Sequence, residues 1–130
     1  MAKYLIDTTV FIDYWRGRGE AINFLKKQKM DLLVSYLTIG ELVQGVRNKK
    51  ELKMFEEIVS GFDLDWSSRE IGIKAIEILK ELKLKQGIGL VDAILAATAL
   101  TRKLVLVTDN VKHFKFVKEL KVKKLSEMVK

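Results

Sequence analysis

The chain has no cysteine, no proline and a single histidine, His113. Without cysteine there is no disulfide framework, no thiolate metal site and no cysteine nucleophile. One histidine cannot build a multi-histidine zinc centre. It leaves a Ser-His-Asp device possible only if His113 itself serves it. Long apolar runs are also missing. No stretch approaches the ~18 apolar residues of a membrane span. The opening Met1-Ala2-Lys3-Tyr4-Leu5-Ile6-Asp7 meets an acid too early for a signal peptide, so the expected location is the cytoplasm. There is no Gly-Lys-Ser/Thr phosphate loop. Gly87-Ile88-Gly89 lacks the third glycine and the preceding strand that a dinucleotide site requires.

The 130 residues are 48% hydrophobic and 32% charged, a balance that buries a core and predicts one globular domain over 1–130. The formal net charge of +7 points to a polyanionic partner such as nucleic acid, or equally to a lysine-rich surface. Residues 112–130 alone hold seven lysines against two glutamates.

The hydrophobic pattern alternates between short apolar runs and helical periodicity. Strands are predicted at Tyr4–Ile6, Leu32–Val34, weakly at Phe62–Trp66, at Leu104–Val107, and at a Lys121–Leu125 edge. Helices are predicted at 9–16, 20–29, 38–46, 50–59, 67–83 and 90–101. Ser67 with Glu70 reads as the capping box of the long helix, and Lys85–Gly89 as a loop. The 90–101 segment is apolar nearly all round and should be buried. Alternating strands and helices imply an α/β fold with a parallel sheet covered on both faces.

In such sheets ligands bind beyond the carboxyl ends of the strands. Asp7 follows the first strand, and Asp109 follows the 105–107 strand after Thr108. Glu41 falls in the first turn of the helix after the second strand. Asp92 falls in the first turn of the buried helix, the only charge between Lys85 and Arg102. Four acids from four segments can therefore meet. Each also has a plain structural reading. Glu41 can close a Thr38-x-x-Glu41 capping box. Asp7 and Asp109 can be strand-end turn residues, and Asp92 can complement the helix dipole. Asp13, nearly two turns past Asp7, reads as a solvated or helix-orienting acid.

Two carboxylates roughly 4 Å apart repel by about 4 kcal/mol at an intermediate dielectric. Uncompensated, they take up protons. A hard divalent cation removes the problem, and oxygen-only ligands select Mg²⁺ or Mn²⁺ over zinc. That is apparatus for hydrolysing a phosphodiester, with the basic surface holding the polymer.

Asp7-Thr8-Thr9-Val10-Phe11-Ile12-Asp13 resembles the opening motif of PIN-domain nucleases, especially the VapC-type toxins of toxin–antitoxin pairs. Ser35-Tyr36-Leu37-Thr38-Ile39-Gly40-Glu41-Leu42, the segment Leu90–Ala99 around Asp92, and Leu106-Val107-Thr108-Asp109-Asn110-Val111-Lys112-His113-Phe114 resemble the three motifs that follow. The resemblance implies a three-layer α/β/α sandwich with a central five-stranded parallel sheet. It implies magnesium-dependent endoribonuclease activity, with Mn²⁺ as substitute, a cognate antitoxin and a homodimer. Carried over, Asp7, Asp92 and Glu41 are the metal ligands, with Glu41 also a candidate orienter of the attacking water. Thr9 and Thr108 are supporting polar residues. Either Asp109 or Asn110 completes the catalytic set. His113 is read as a structural hydrogen-bonding group. Phe11, Tyr14 and Trp15 form either core packing or a groove for an antitoxin or dimer partner.

Two other functions compete. One is a non-catalytic RNA- or partner-binding module on the same fold. The other is a small-molecule phosphatase using Asp7, which generally wants an acid at the position Thr9 holds.

Overall fold

The inner strands are short and apolar on both sides, which suits a parallel sheet buried under helices on each face. The computed structural model describes residues 2–128. In it β1 (Tyr4–Ile6), β2 (Leu32–Ser35), β3 (Asp63–Asp65), β4 (Val105–Val107) and β5 (Val122–Lys123) form one sheet. Their order is β3-β2-β1-β4-β5, and all pairs are parallel. Successive residues serve opposite faces, as the pleat dictates. Leu5 and Leu106 enter one core, Ile6, Val34 and Val107 the other.

The first core is roofed by α5 (Arg69–Gln86) and α6 (Leu90–Arg102), which supply Ile71, Ala75, Ile78, Leu95 and Ala96. The second is covered by α1 (Thr8–Trp15), α2 (Gly19–Lys27) and α4 (Lys49–Val59), with Ile39 and Leu42 of α3 (Tyr36–Gly45) packed against it. Phe11 of α1 meets Phe62 edge-on at 5.5 Å between ring centroids. α7 (Leu125–Met128) adds the buried Leu125 to the same side. The result is the expected three-layer α/β/α sandwich. No helix among the described residues is long and apolar enough to cross a membrane.

Several boundaries differ from the sequence expectation. The helix after β2 begins at Tyr36, capped by Ser35, whose hydroxyl accepts from the Leu37 N–H at 3.1 Å. The cap thus falls three residues before Thr38, no Thr38–Glu41 capping box forms, and Glu41 lies in the second turn. The long helix is capped by Ser68, not Ser67, because the Ser68 hydroxyl reaches the Ile71 N–H at 3.2 Å. That helix runs on to Gln86, and Gly87 stops it in a left-handed conformation at φ 69°, where glycine carries no Cβ penalty. The last strand is only Val122–Lys123, since Leu125 opens α7.

The strand order places a switch point between β1 and β4, where the chain winds away in opposite directions. A crevice opens at the carboxyl ends of such strands. Asp7 and Thr108 are the residues that leave β1 and β4 there.

Candidate active site

Asp7 caps α1 and is only 7% exposed. A buried carboxylate needs donors on its oxygens, and the sequence supplies three. The Thr8 N–H donates to Oδ1 at 2.7 Å. The Thr108 hydroxyl donates to Oδ2 at 2.6 Å and the Thr9 hydroxyl to the same oxygen at 3.1 Å. Each threonine is held in turn by a main-chain donor. Asp109 N–H gives to Thr9 Oγ1 at 3.1 Å, and Asn110 N–H gives to Thr108 Oγ1 at 3.0 Å. The loop after β4 therefore fixes Asp7 through two hydroxyls, in the manner of an outer shell that orients a ligand.

Glu41 reaches the same edge from α3. Its Oε1 accepts the Thr8 hydroxyl at 2.6 Å, and Thr38 Oγ1 lies 3.3 Å from that hydroxyl. Thr8 is a residue that sequence reasoning missed. The signal available was its place as the first helical residue after Asp7, on the turn that faces α3. Asp92 is the third residue of α6, after its Gly89 cap. Burial pushes its carboxyl up; the His113 charge pulls it down, while the charges of Asp7 and Glu41 push it up further. The three acids thus lie within electrostatic reach of one another. His113 Nδ1 sits 3.2 Å from Asp92 Oδ2, matching its reading as a hydrogen-bonding group.

As placed, no three acid or imidazole groups among the described residues enclose an ion. Glu41 is turned to Thr8 and Asp92 to His113. The donor chemistry nonetheless suits a hard cation: the carboxylate and hydroxyl oxygens of Asp7, Thr8, Glu41 and Asp92 lie at this edge, and a positive charge would offset the burial and the repulsion that raise Asp92.

Asp109 and Asp13 form a separate pair. Asp13 is 6% exposed, so the expectation of a solvated acid is corrected. On α1, Asp13 is turned toward Asp109 in the loop after β4. Arg18 Nη1 lies 3.5 Å from Asp13 Oδ1, while Oδ2 is buried without a hydrogen-bond partner among the described residues. A proton shared with Asp13, which would give that oxygen its partner, together with burial and the Asp13 charge, pushes the Asp109 carboxyl up to about 6, against Arg18, which lowers it; Asp7 adds a small upward push. Asp109 thus presents its N–H to the Asp7 group and its carboxyl to Asp13. The Asn110 side chain is exposed.

This pair sets a pH dependence. A folded pKa above the ordinary carboxyl value means that folding favours the protonated form, so stability falls as pH rises from about 4 through about 6. Because Asp109 is partly solvated, the effect is discounted to about 1 kcal/mol. Asp109→Asn is therefore expected to raise the thermal midpoint by about 2–4 °C near pH 8 and leave it nearly unchanged near pH 4. Equal shifts at both pH values, read by thermal melts, would show that the two carboxyls do not share a proton.

Residues 4–119 match the family model for the PIN domain. The chain is 34% identical over 133 residues to ribonuclease VapC1 of Methanocaldococcus jannaschii, covering 94% of this chain and 86% of that protein. A toxin–antitoxin complex from Klebsiella pneumoniae contains a similar chain, at TM-score 0.80 and 28% identity over 95% of this chain and 98% of that one. A DNA-bound VapBC structure from Salmonella typhimurium shares the fold at TM-score 0.86, with 21% identity over 96% and 99% of the two chains. The chain belongs to the PIN domain family.

Proposed function

We propose that this chain is a VapC-type ribonuclease, the toxin of a toxin–antitoxin pair, which hydrolyses RNA at Asp7, Glu41 and Asp92. The observation that supports this reading is that Asp7, at the switch point of the sheet, and Glu41 of α3 both act electrostatically on Asp92 of α6. Asp7, Asp92 and Glu41 would hold Mg²⁺, or Mn²⁺ in its place. When bound, the cation supplies positive charge to the phosphate oxygens and eases deprotonation of water. The protein's own work is placement. Thr9 and Thr108 lock Asp7, while Thr8 holds Glu41 and His113 holds Asp92 at the edge of the site, from which both carboxylates would turn toward a bound cation. Asp109 serves through its N–H on Thr9, and Asn110 through its N–H on Thr108. The net charge of +7 draws the RNA backbone in.

A cognate antitoxin has a place to bind. A cavity of about 410 Å³ opens beside the site, lined by Ile12, Trp15, Leu42 and Phe55, with Thr8 and Glu41 in its wall. A segment seated there would cover Glu41. Of the aromatic group on α1, Phe11 serves the core and Trp15 faces this groove. The exposed Ile73 and Ile76 on α5 suit a contact between two copies, as in a symmetric dimer.

Total RNA incubated with the pure chain tests the reading. Cleavage is expected with Mg²⁺ or Mn²⁺ and none with a chelator. RNA that is bound yet never cut at any metal concentration would instead favour the non-catalytic binding module.

A further inference from the structure

Trp66 is 71% exposed, a poor position for a large apolar ring unless it meets something. It does not stand alone. Its ring stacks with Tyr36 at 6.4 Å between centroids and an interplanar angle of 22°. Ser35 of β2 pairs with Asp65 of β3, so Tyr36 and Trp66 are the next residues past the ends of adjacent strands. They emerge on the same carboxyl edge as Asp7. Neighbouring strands lie about 4.8 Å apart, which sets Trp66 roughly 10 Å from the end of β1.

The support beneath Trp66 is stiff. The preceding Asp65 is buried, and its Oδ1 accepts the Ser67 N–H at 2.7 Å. Arg102 grips the same carboxylate from α6, at 3.2 Å on Oδ1 and 3.3 Å on Oδ2. Ser67 takes a positive φ of 76°, a backbone cost that a non-glycine residue bears only where its surroundings hold it. A rigid, strained turn thus holds an indole out to solvent on the carboxyl edge of the sheet, in a chain with a net charge of +7.

We propose that Tyr36 and Trp66 form a stacking platform for an unpaired base of single-stranded RNA bound along this edge. Every base has a π face, so such a platform accepts any sequence yet demands that the base be unstacked from a duplex. This rests on the ribonuclease reading for its substrate, but its test is one of binding. It applies to RNA held in place, whether or not the strand is cut.

The experiment titrates a labelled single-stranded oligoribonucleotide, the same backbone carrying abasic positions, and an RNA duplex against the full chain, in chelator so that nothing is cut. Trp66→Ala is expected to lose about tenfold in affinity for the single strand. Trp66→Phe should restore most of it, and the abasic strand should bind the native and Ala chains equally. Unchanged single-strand affinity in Trp66→Ala overturns the proposal, as does an equal loss on the abasic strand. A change of oligomeric state in Trp66→Ala also overturns it, because the pair would then be a contact between copies. Base-dependent binding through Trp66 without cleavage on adding Mg²⁺ keeps the platform and removes the nuclease. Cleavage with Mg²⁺ alongside single-strand affinity indifferent to Trp66 does the reverse.

Discussion

Asp92→Asn is expected to leave the fold intact and to lower RNA cleavage by at least about a hundredfold. Asparagine keeps the size of the side chain and one carbonyl oxygen, and it retains a partner for His113. What it removes is the negative charge, the property a cation at this place requires. The same change removes a charge that burial, together with the charges of Asp7 and Glu41, disfavours more than His113 favours it, so that the Asp92 carboxyl is raised. The variant should therefore melt at or slightly above the temperature of the native chain. Loss of activity with retained or improved stability separates a functional acid from a structural one. Undiminished cleavage by a folded, pure Asp92→Asn chain would remove Asp92 from the site.

Leu106→Ala is expected to cost about 2–5 kcal/mol of stability. Leu106 is fully buried in β4, beneath the α5–α6 layer. Truncation there leaves a cavity that the surrounding strands cannot close. The thermal midpoint should fall by about 6–15 °C. Leu84 provides the contrast. It is 97% exposed near the end of α5, and Leu84→Ala should move stability by less than about 0.5 kcal/mol. Urea melts of the two variants check both, with similar slopes expected if the denatured state is unaltered.

Much of this architecture is legible in the sequence. The run of four apolar residues at 104–107 announces an interior strand. The nearly all-apolar 90–101 helix announces burial, and its lone Asp92 stands out against it. Local start signals were less decisive, because serine and threonine cap equally well wherever they occur close together. Ser35 outcompeted Thr38, and Ser68 outcompeted Ser67, once the strand ahead of each had fixed where the chain turned. Long-range polar partners left no trace at all. Nothing near Asp13 announces that Asp109 will lie against it, and nothing near Asp65 announces Arg102. Thr8 has only a positional signal, its place directly after Asp7, since its partner Glu41 comes from another segment. The aromatic pair on the sheet edge was equally hidden, since Tyr36 and Trp66 are neighbours only through the register of β2 with β3.

The Thr108–Asp7 bond joins positions 101 residues apart, and β1 needs β4 as its second neighbour. On the ribosome, the opening strand must therefore wait with one edge bare while most of the polypeptide is still unmade. A nascent chain has no anchored Asp7 and no completed cleft until β4 and Thr108 have emerged, so translation itself delays the onset of any cutting.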